Sequence, residues 1–323
     1  MRYLIVLFIA VFVHGTTLAQ NTPTPDPNKT NTPNTNEEST PSAPPSAFEP
    51  YTQSDLRILT GNVQRPNGIV WFNDSLYTAC TGDMTVYEID AETGLTTTLI
   101  GGVNNAHTLF AEEREENVIS LWVPDFTSNQ LLNVEWGSID RVAEDLQGPW
   151  GIAYLDEENF LITNMLGNNL MRINRDGEGE VTLDGLTSPT GLVIDDEYVY
   201  IANNGSTRRA IEWYALDSVD GGETETSQSD QTVLVSGLQN TTGLAMGSDG
   251  YLYFAYSLGT RGVVGRIDPD YCRENGGCTN EDIQIVIYTE LEAPLAGLTI
   301  SPDMRLYIHT MFRPEIYSIQ IDG

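Results

Sequence analysis

Six times along this chain the same short pattern returns, and that repetition constrains the fold more than any other feature. A glycine, or in one unit a threonine, stands just ahead of an apolar strand at Gly68, Thr108, Gly151, Gly191, Gly243 and Gly297. Successive openings are 40, 43, 40, 52 and 54 residues apart. The unit from Gly148 to Leu186 is the clearest. Gly151–Leu155 reads as a small apolar strand and Asp156–Asn159 as a polar turn. Phe160–Asn164 is a second strand, and Leu170–Asn174 alternates apolar and polar as a half-buried strand does. Arg175–Asp176–Gly177 supplies turn chemistry before a fourth strand at Glu180–Asp184. The second strands agree from unit to unit: SLYTAC, ISLWVP, FLITN, YVYIAN, YLYFAY and RLYIHT. One such unit cannot bury its own apolar faces, whereas a ring of them can. The pattern predicts an all-β, six-bladed β-propeller.

The last unit lacks a fourth strand, because the chain ends at Gly323 after three. Asp55–Thr60 followed by Gly61 has the look of the fourth strands elsewhere, such as Thr232–Ser236 followed by Gly237. The expectation is that this N-terminal strand closes the last blade and leaves no open edge. The two long spacings come from insertions between third and fourth strands, Asp217–Gln231 and Asp268–Asp282. In an up-and-down meander both fall on the face away from the inter-blade loops.

Three segments precede or form this unit. Tyr3–Val13 is apolar behind Arg2, and Thr17–Leu18–Ala19 has small outer residues, the layout of a secretory signal over residues 1–19. Residues 20–50 are built from Thr, Pro, Asn and Ser and cannot bury a core, so they read as a disordered spacer. Residues 51–323 are the propeller. The expected location is extracellular or the cell envelope, with no membrane span in the mature chain. The net charge is −31, from 46 acidic and 15 basic residues. The single lysine is Lys29, in the spacer. That charge argues against nucleic acid and anionic membranes as partners. In an exported chain, Cys272 and Cys278 in a Gly- and Asn-rich loop read as a small disulfide, with Cys80 left over as a buried residue.

The P-x-G-[IL] opening and the later x-[LV]-Y strand resemble those of six-bladed NHL-repeat, gluconolactonase (regucalcin-like) and strictosidine-synthase-like propellers, over Tyr51 to Gly323. The resemblance implies a fold more than a function, since such rings include hydrolases, lyases and binding modules. In the gluconolactonase-like enzymes it implies a central divalent cation held by Glu, Asn and Asp just before the repeat glycine. Here those positions are Asn67, His107, Trp150, Thr190, Thr242 and Ala296, and only Asn67 fits. An oxygen cage from Asn67, Asp125, Asn164 and Asn203 would suit Ca²⁺ or a similar ion. The competing reading is that these side chains cap turns and strand ends.

Two other sets meet at the mouth of the channel formed by the inter-blade and second-to-third-strand loops. His107 and His309 could act as acid and base, though no activated nucleophile accompanies them; the plainer reading is structural. Arg208, Arg261 and Arg313 occupy the same loop in neighbouring blades, and with Trp150 and Tyr256 could hold a small anionic ligand. The alternative is that rim carboxylates neutralise them. The leading functional reading is recognition of a ligand or protein partner at this mouth, with no chemistry of its own. The alternatives are a metal-dependent hydrolase of the lactonase or esterase type and a structural envelope scaffold.

Overall fold

The computed structural model of the protein describes residues 48–321 apart from 117, 206–207 and 220–231. The expected signal, most of the spacer and most of the first insertion therefore lie outside the described residues.

The described residues form six sheets, each a four-stranded antiparallel meander at its heart. Blade 1 comprises Pro66–Phe72, Ser75–Cys80, Thr85–Asp90 and Thr96–Gly101. Blade 2 comprises Phe110–Glu115, Val118–Asp125, Gln130–Glu135 and Ser138–Ala143. Blade 3 comprises Pro149–Tyr154, Asn159–Asn164, Asn169–Asn174 and Gly179–Leu183. Blade 4 comprises Pro189–Ile194, Tyr198–Gly205, Arg208–Ala215 and Thr232–Ser236. Blade 5 comprises Gly243–Met246, Leu252–Leu258, Arg261–Ile267 and Gln284–Glu292. Blade 6 takes Gly297–Ile300, Arg305–His309 and Ile316–Gln320 from the end of the chain and Arg57–Thr60 from its beginning. Arg57–Thr60 runs antiparallel to Ile316–Gln320, with Arg57 opposite Ser318 and Ile58 opposite Tyr317. The ring is closed as the repeat count requires.

Two short parallel strands extend blades beyond what the repeat shows. Tyr51–Thr52 lies along Gln284–Glu292 in blade 5, and Cys278–Thr279 lies along Thr232–Ser236 in blade 4. The second belongs to the insertion after Asp268. Asp268 caps the helix Pro269–Glu274 by accepting from the Tyr271 N–H, and Cys272 is bridged to Cys278. That insertion thus leaves blade 5 and docks on the outer edge of blade 4. Cys80 is free and buried, and burial pushes its thiol up to about 12.

The core is not one mass but six clusters, one in each seam between neighbouring blades. Trp122, Phe160 and Ile162 fill the seam of blades 2 and 3, while Leu161, Leu192, Val199 and Ile201 fill that of blades 3 and 4. The seam at the closure joins Leu59 and Tyr307 to Ile69, Leu76 and Ile89. Each fully buried aliphatic contributes about 1.5–3 kcal/mol. The repeat glycine has a steric cause near the axis. A Cβ on Gly151 would lie 2.6 Å from the Thr190 carbonyl oxygen and 2.8 Å from Thr163 Oγ1. Blade 2 substitutes Thr108, whose hydroxyl donates to the Trp150 carbonyl at 2.8 Å and accepts from the Ile152 N–H at 3.1 Å.

Candidate functional site

The end of the ring that gathers the inter-blade loops is capped. His107 and Trp150, equivalent residues of successive repeats, stack face to face with centroids 3.4 Å apart and planes 5° apart. Phe126 packs edge-on against both, at 5.4 and 5.9 Å. The Trp150 Nε1–H reaches from blade 3 to the Thr242 carbonyl of blade 5 at 3.4 Å. Asn67 Nδ2 bonds Asn105 Oδ1 at 2.6 Å and His107 Nδ1 at 3.0 Å. Threonines continue the lacing from blade to blade: Thr190 Oγ1 donates to the Thr241 carbonyl at 2.7 Å, and Thr242 Oγ1 to that of Leu295 at 2.7 Å.

Below this cap runs a channel of about 360 Å³, with His107 among its lining residues. Its wall carries the branched residue that follows each repeat position: Ile69, Leu109, Ile152, Leu192, Leu244 and Leu298. Tyr154, 40 % exposed, stands at the end of the channel away from the cap. The channel offers shape and apolar surface but few side chains that could move a proton.

The two histidines are both buried and both kept neutral. Burial lowers His107 to about 3 and His309 to about 4. His309 pairs with Gly297 in blade 6, and no side chain among the described residues hydrogen-bonds its ring nitrogens; the Pro66 backbone is the one group that acts on it, weakly opposing the effect of burial. His107 bonds only the Asn67 amide, so no hydroxyl or thiol is poised on either imidazole among the described residues. An acid–base pair would need at least one nitrogen open to a substrate.

The oxygen donors weighed for a cation are engaged separately. Asp125 is fully buried and accepts from four backbone N–H groups, those of Asn104 at 2.7 Å, Asn105 at 3.3 Å, Thr127 at 3.0 Å and Ser128 at 3.1 Å. Asn164 accepts from the Gln147 N–H and donates to Asn169 Oδ1. Asn203 accepts from the Thr187 N–H and donates to Glu212 Oε2. Asn67 keeps one buried oxygen without a partner. Among the described residues no three His, Cys, Asp or Glu side chains converge as metal ligands. These residues therefore do not fit a Ca²⁺-type cage; they cap loops, and Asp125 does so because four orphan amides surround it.

The arginine and aromatic candidates also separate. Tyr256 is 5 % exposed, packed 5.6 Å from Phe254 in the seam of blades 4 and 5, and offers no face to the mouth. Trp150 is in the cap. Arg261 donates to the Glu290 carbonyl, and Arg313 is exposed. Neither lines the channel or the pockets at the rim. The Arg208 backbone begins a strand of blade 4, and its side chain lies outside the described residues.

Sequence reasoning missed the apolar studs around the cap. Met84, Leu166, Leu258 and Phe312 sit at the second-to-third-strand turns of blades 1, 3, 5 and 6, and each is at least half exposed. Their signal was a large apolar residue inside an otherwise polar turn, repeated at the same place in the unit.

No family model matches the chain, and no curated protein matches it. Solved structures do. A gluconolactonase from Xanthomonas campestris superposes with a TM-score of 0.62 at 14% identity, covering 83% of this chain and 89% of that one. The PQQ-bound aldose sugar dehydrogenase from Streptomyces coelicolor gives 0.58 at 16% identity, covering 82% and 97%. A catalytically inactive virginiamycin B lyase from Staphylococcus aureus with quinupristin gives 0.52 at 18% identity, covering 79% and 81%. At such identity the likeness shows the fold alone, a β-propeller, which in this chain has six blades. It carries no activity with it.

Proposed function

We propose that the protein is an exported binding module that docks a partner polypeptide on the capped end of its ring and performs no chemistry there. The observation that supports this most is the cap itself. The stacked His107 and Trp150 fill the place where a small substrate would have to enter from the loop side. Around it, Met84, Leu166, Leu258 and Phe312 offer separated apolar contacts on one face. Exposed apolar side chains gathered on one face are what a protein contact uses. Arg261 and Arg313 share those loops, so the partner's face would carry carboxylates among its apolar residues. Export rests on the apolar segment behind Arg2 and on the pairing of Cys272 with Cys278.

The test is metal analysis of the purified protein together with hydrolysis assays on a panel of lactones and esters. The expected result is no stoichiometric divalent ion and no turnover above that of a Trp150→Ala variant. A bound ion whose removal abolishes a lactone hydrolysis, and whose binding is lost in Asn67→Ala, would replace this reading with a metal-dependent lactonase.

A further inference from the structure

On the opposite face, this chain holds guanidinium groups in a socket that it builds more than once. In blade 5 the Tyr253 hydroxyl donates to Asp249 Oδ2 at 2.7 Å and accepts from Arg266 Nη1 at 2.9 Å. Arg266 also pairs with Asp249 at 3.1 Å and lies 4.6 Å from the Tyr251 ring centre. In blade 4 the Tyr200 hydroxyl donates to Asp195 Oδ2 at 2.7 Å and accepts from Arg273, which lies 4.0 Å over Tyr198. Three parts are the same in both blades, an aspartate from the first turn, the second-strand tyrosine and an aromatic two residues before it; the arginine comes from the facing third strand in blade 5 and from the insertion helix Pro269–Glu274 in blade 4.

Blade 6 has the aspartate and the tyrosine, Asp303 and Tyr307, but not the arginine. The residue across the strand pair from Tyr253 is Arg266, and the residue across from Tyr307 is Ser318. A serine cannot reach over the ring, and the space is a pocket of about 650 Å³ between blades 6 and 1. Tyr307 is 2 % exposed, and its hydroxyl makes one long bond, to the Ala91 carbonyl at 3.4 Å. It accepts from no group among the described residues, although in the filled sockets the same hydroxyl accepts from arginine. Asp74, Asp90, Glu92 and Asp303 line the pocket against Arg57 and Arg305, an excess of two carboxylates. Arg57 donates to the Glu92 carbonyl, and among the described residues neither arginine forms an ion pair. Arg305 holds the position of Tyr198 and Tyr251, so the flat apolar wall comes instead from Trp71 of the neighbouring blade. The Trp71 backbone is fixed across the seam by its N–H bond to Thr299 Oγ1 at 3.1 Å.

We propose that this pocket receives the guanidinium group of an arginine from a basic segment of a partner polypeptide. It would lie against the Trp71 indole, donate to Asp303 and Asp74, and give the Tyr307 hydroxyl the donor it lacks. A planar fork suits this arrangement of separated carboxylates and an aromatic wall better than the point charge of a lysine. The site is distinct from the capped end, so its fate is independent of the function proposed above.

The test uses the full chain and three blocked tripeptides, Gly-Arg-Gly and its lysine and citrulline counterparts, titrated by calorimetry at low salt. The arginine peptide should bind saturably at one site, about tenfold tighter than the lysine peptide, with no binding by citrulline. Asp74→Asn with Asp303→Asn, both exposed positions, should weaken it about tenfold, and Trp71→Leu should do likewise. Asp196→Asn with Glu197→Gln removes the same charge from the corresponding turn of blade 4 and should leave binding unchanged. Absence of saturable binding, equal binding of the citrulline peptide, or equal weakening by the two charge-removing pairs would each overturn the proposal; the last would mean attraction to an acidic surface only.

Discussion

Burial, not partnership, sets the chemistry of the two histidines, and that has a measurable consequence. A folded chain that keeps His107 and His309 neutral down to about 3 and 4 competes with an unfolded chain whose histidines protonate at ordinary values. As pH falls below about 6.5 the unfolded state takes up protons that the folded state refuses. The contribution of the neutral imidazoles is therefore complete above that pH and is lost progressively towards pH 4. Lowering the pH also relieves repulsion within a chain of net charge −31, so the comparison must be a difference. His309→Gln should show a shallower loss of melting temperature between pH 7 and pH 4.5 than the parent protein does. A folded-state imidazole titration with a midpoint above pH 6 would contradict it. At this scale the sequence locates side chains but not their engagements. Positions 107 and 150 are recognisable as equivalent sites of adjoining repeats, yet their stacking depends on how closely two blades approach the axis. Asp125 resembles a cation ligand by residue type, because the four amides that claim it come from loop geometry with no periodic signature. Tyr256 faces a loop by its place in the repeat, whereas its ring turns into a seam.

Elements are far more legible, since strand alternation and turn residues are local signals. Alternation places the strands of the third blade at Gly151–Leu155, Phe160–Asn164, Leu170–Asn174 and Glu180–Asp184, and each lies within about two residues of the observed strand. The two-residue parallel strands escape, because nothing so short has a period, and both pair across blades. The repeat glycines make the clearest test at this scale. Gly151→Ala places a methyl group against backbone and should destabilise the protein by roughly 1–3 kcal/mol. Gly101 ends the fourth strand of blade 1, where an added methyl would meet nothing within 4 Å and φ is not positive. Gly101→Ala should be neutral or slightly stabilising, by up to about 1 kcal/mol. Denaturant unfolding of the pair decides the matter, and equal effects would mean that the glycine is not set by blade-to-blade approach.

For the molecule as a whole, closure is the feature that every other depends on. Deleting residues 51–61 removes the strand Arg57–Thr60, uncovers the edge of blade 6 and strips Leu59 from the last seam. Aggregation or loss of cooperative unfolding is the expected result, read by light scattering and melting. Deleting residues 20–46 should leave the melting temperature unchanged, because the described contacts begin with Phe48, which packs on Tyr51 at 6.1 Å and under Arg266 at 5.0 Å. A harmless shorter deletion would sink the idea of closure by the N-terminal strand. The ring itself is readable from six openings and one missing strand. The guanidinium sockets are not, since one takes its arginine from a facing strand, another from the insertion of the next blade, and the open one borrows its wall from a neighbouring blade.

Closure also sets a clock. Arg57 is made 261 residues before its partner Ser318. At ordinary rates of synthesis the first strand waits on the order of tens of seconds before the surface it belongs to exists. Throughout that wait the nascent chain carries an unclaimed β-edge, and the half-built ring can accept a strand from any neighbour on the same message. Two chains that trade first strands would satisfy every pairing described here. Correct assembly therefore depends on which Arg57–Thr60 segment reaches blade 6 first as well as on how tightly the last seam holds, and dilution of nascent chains should favour the chain's own strand.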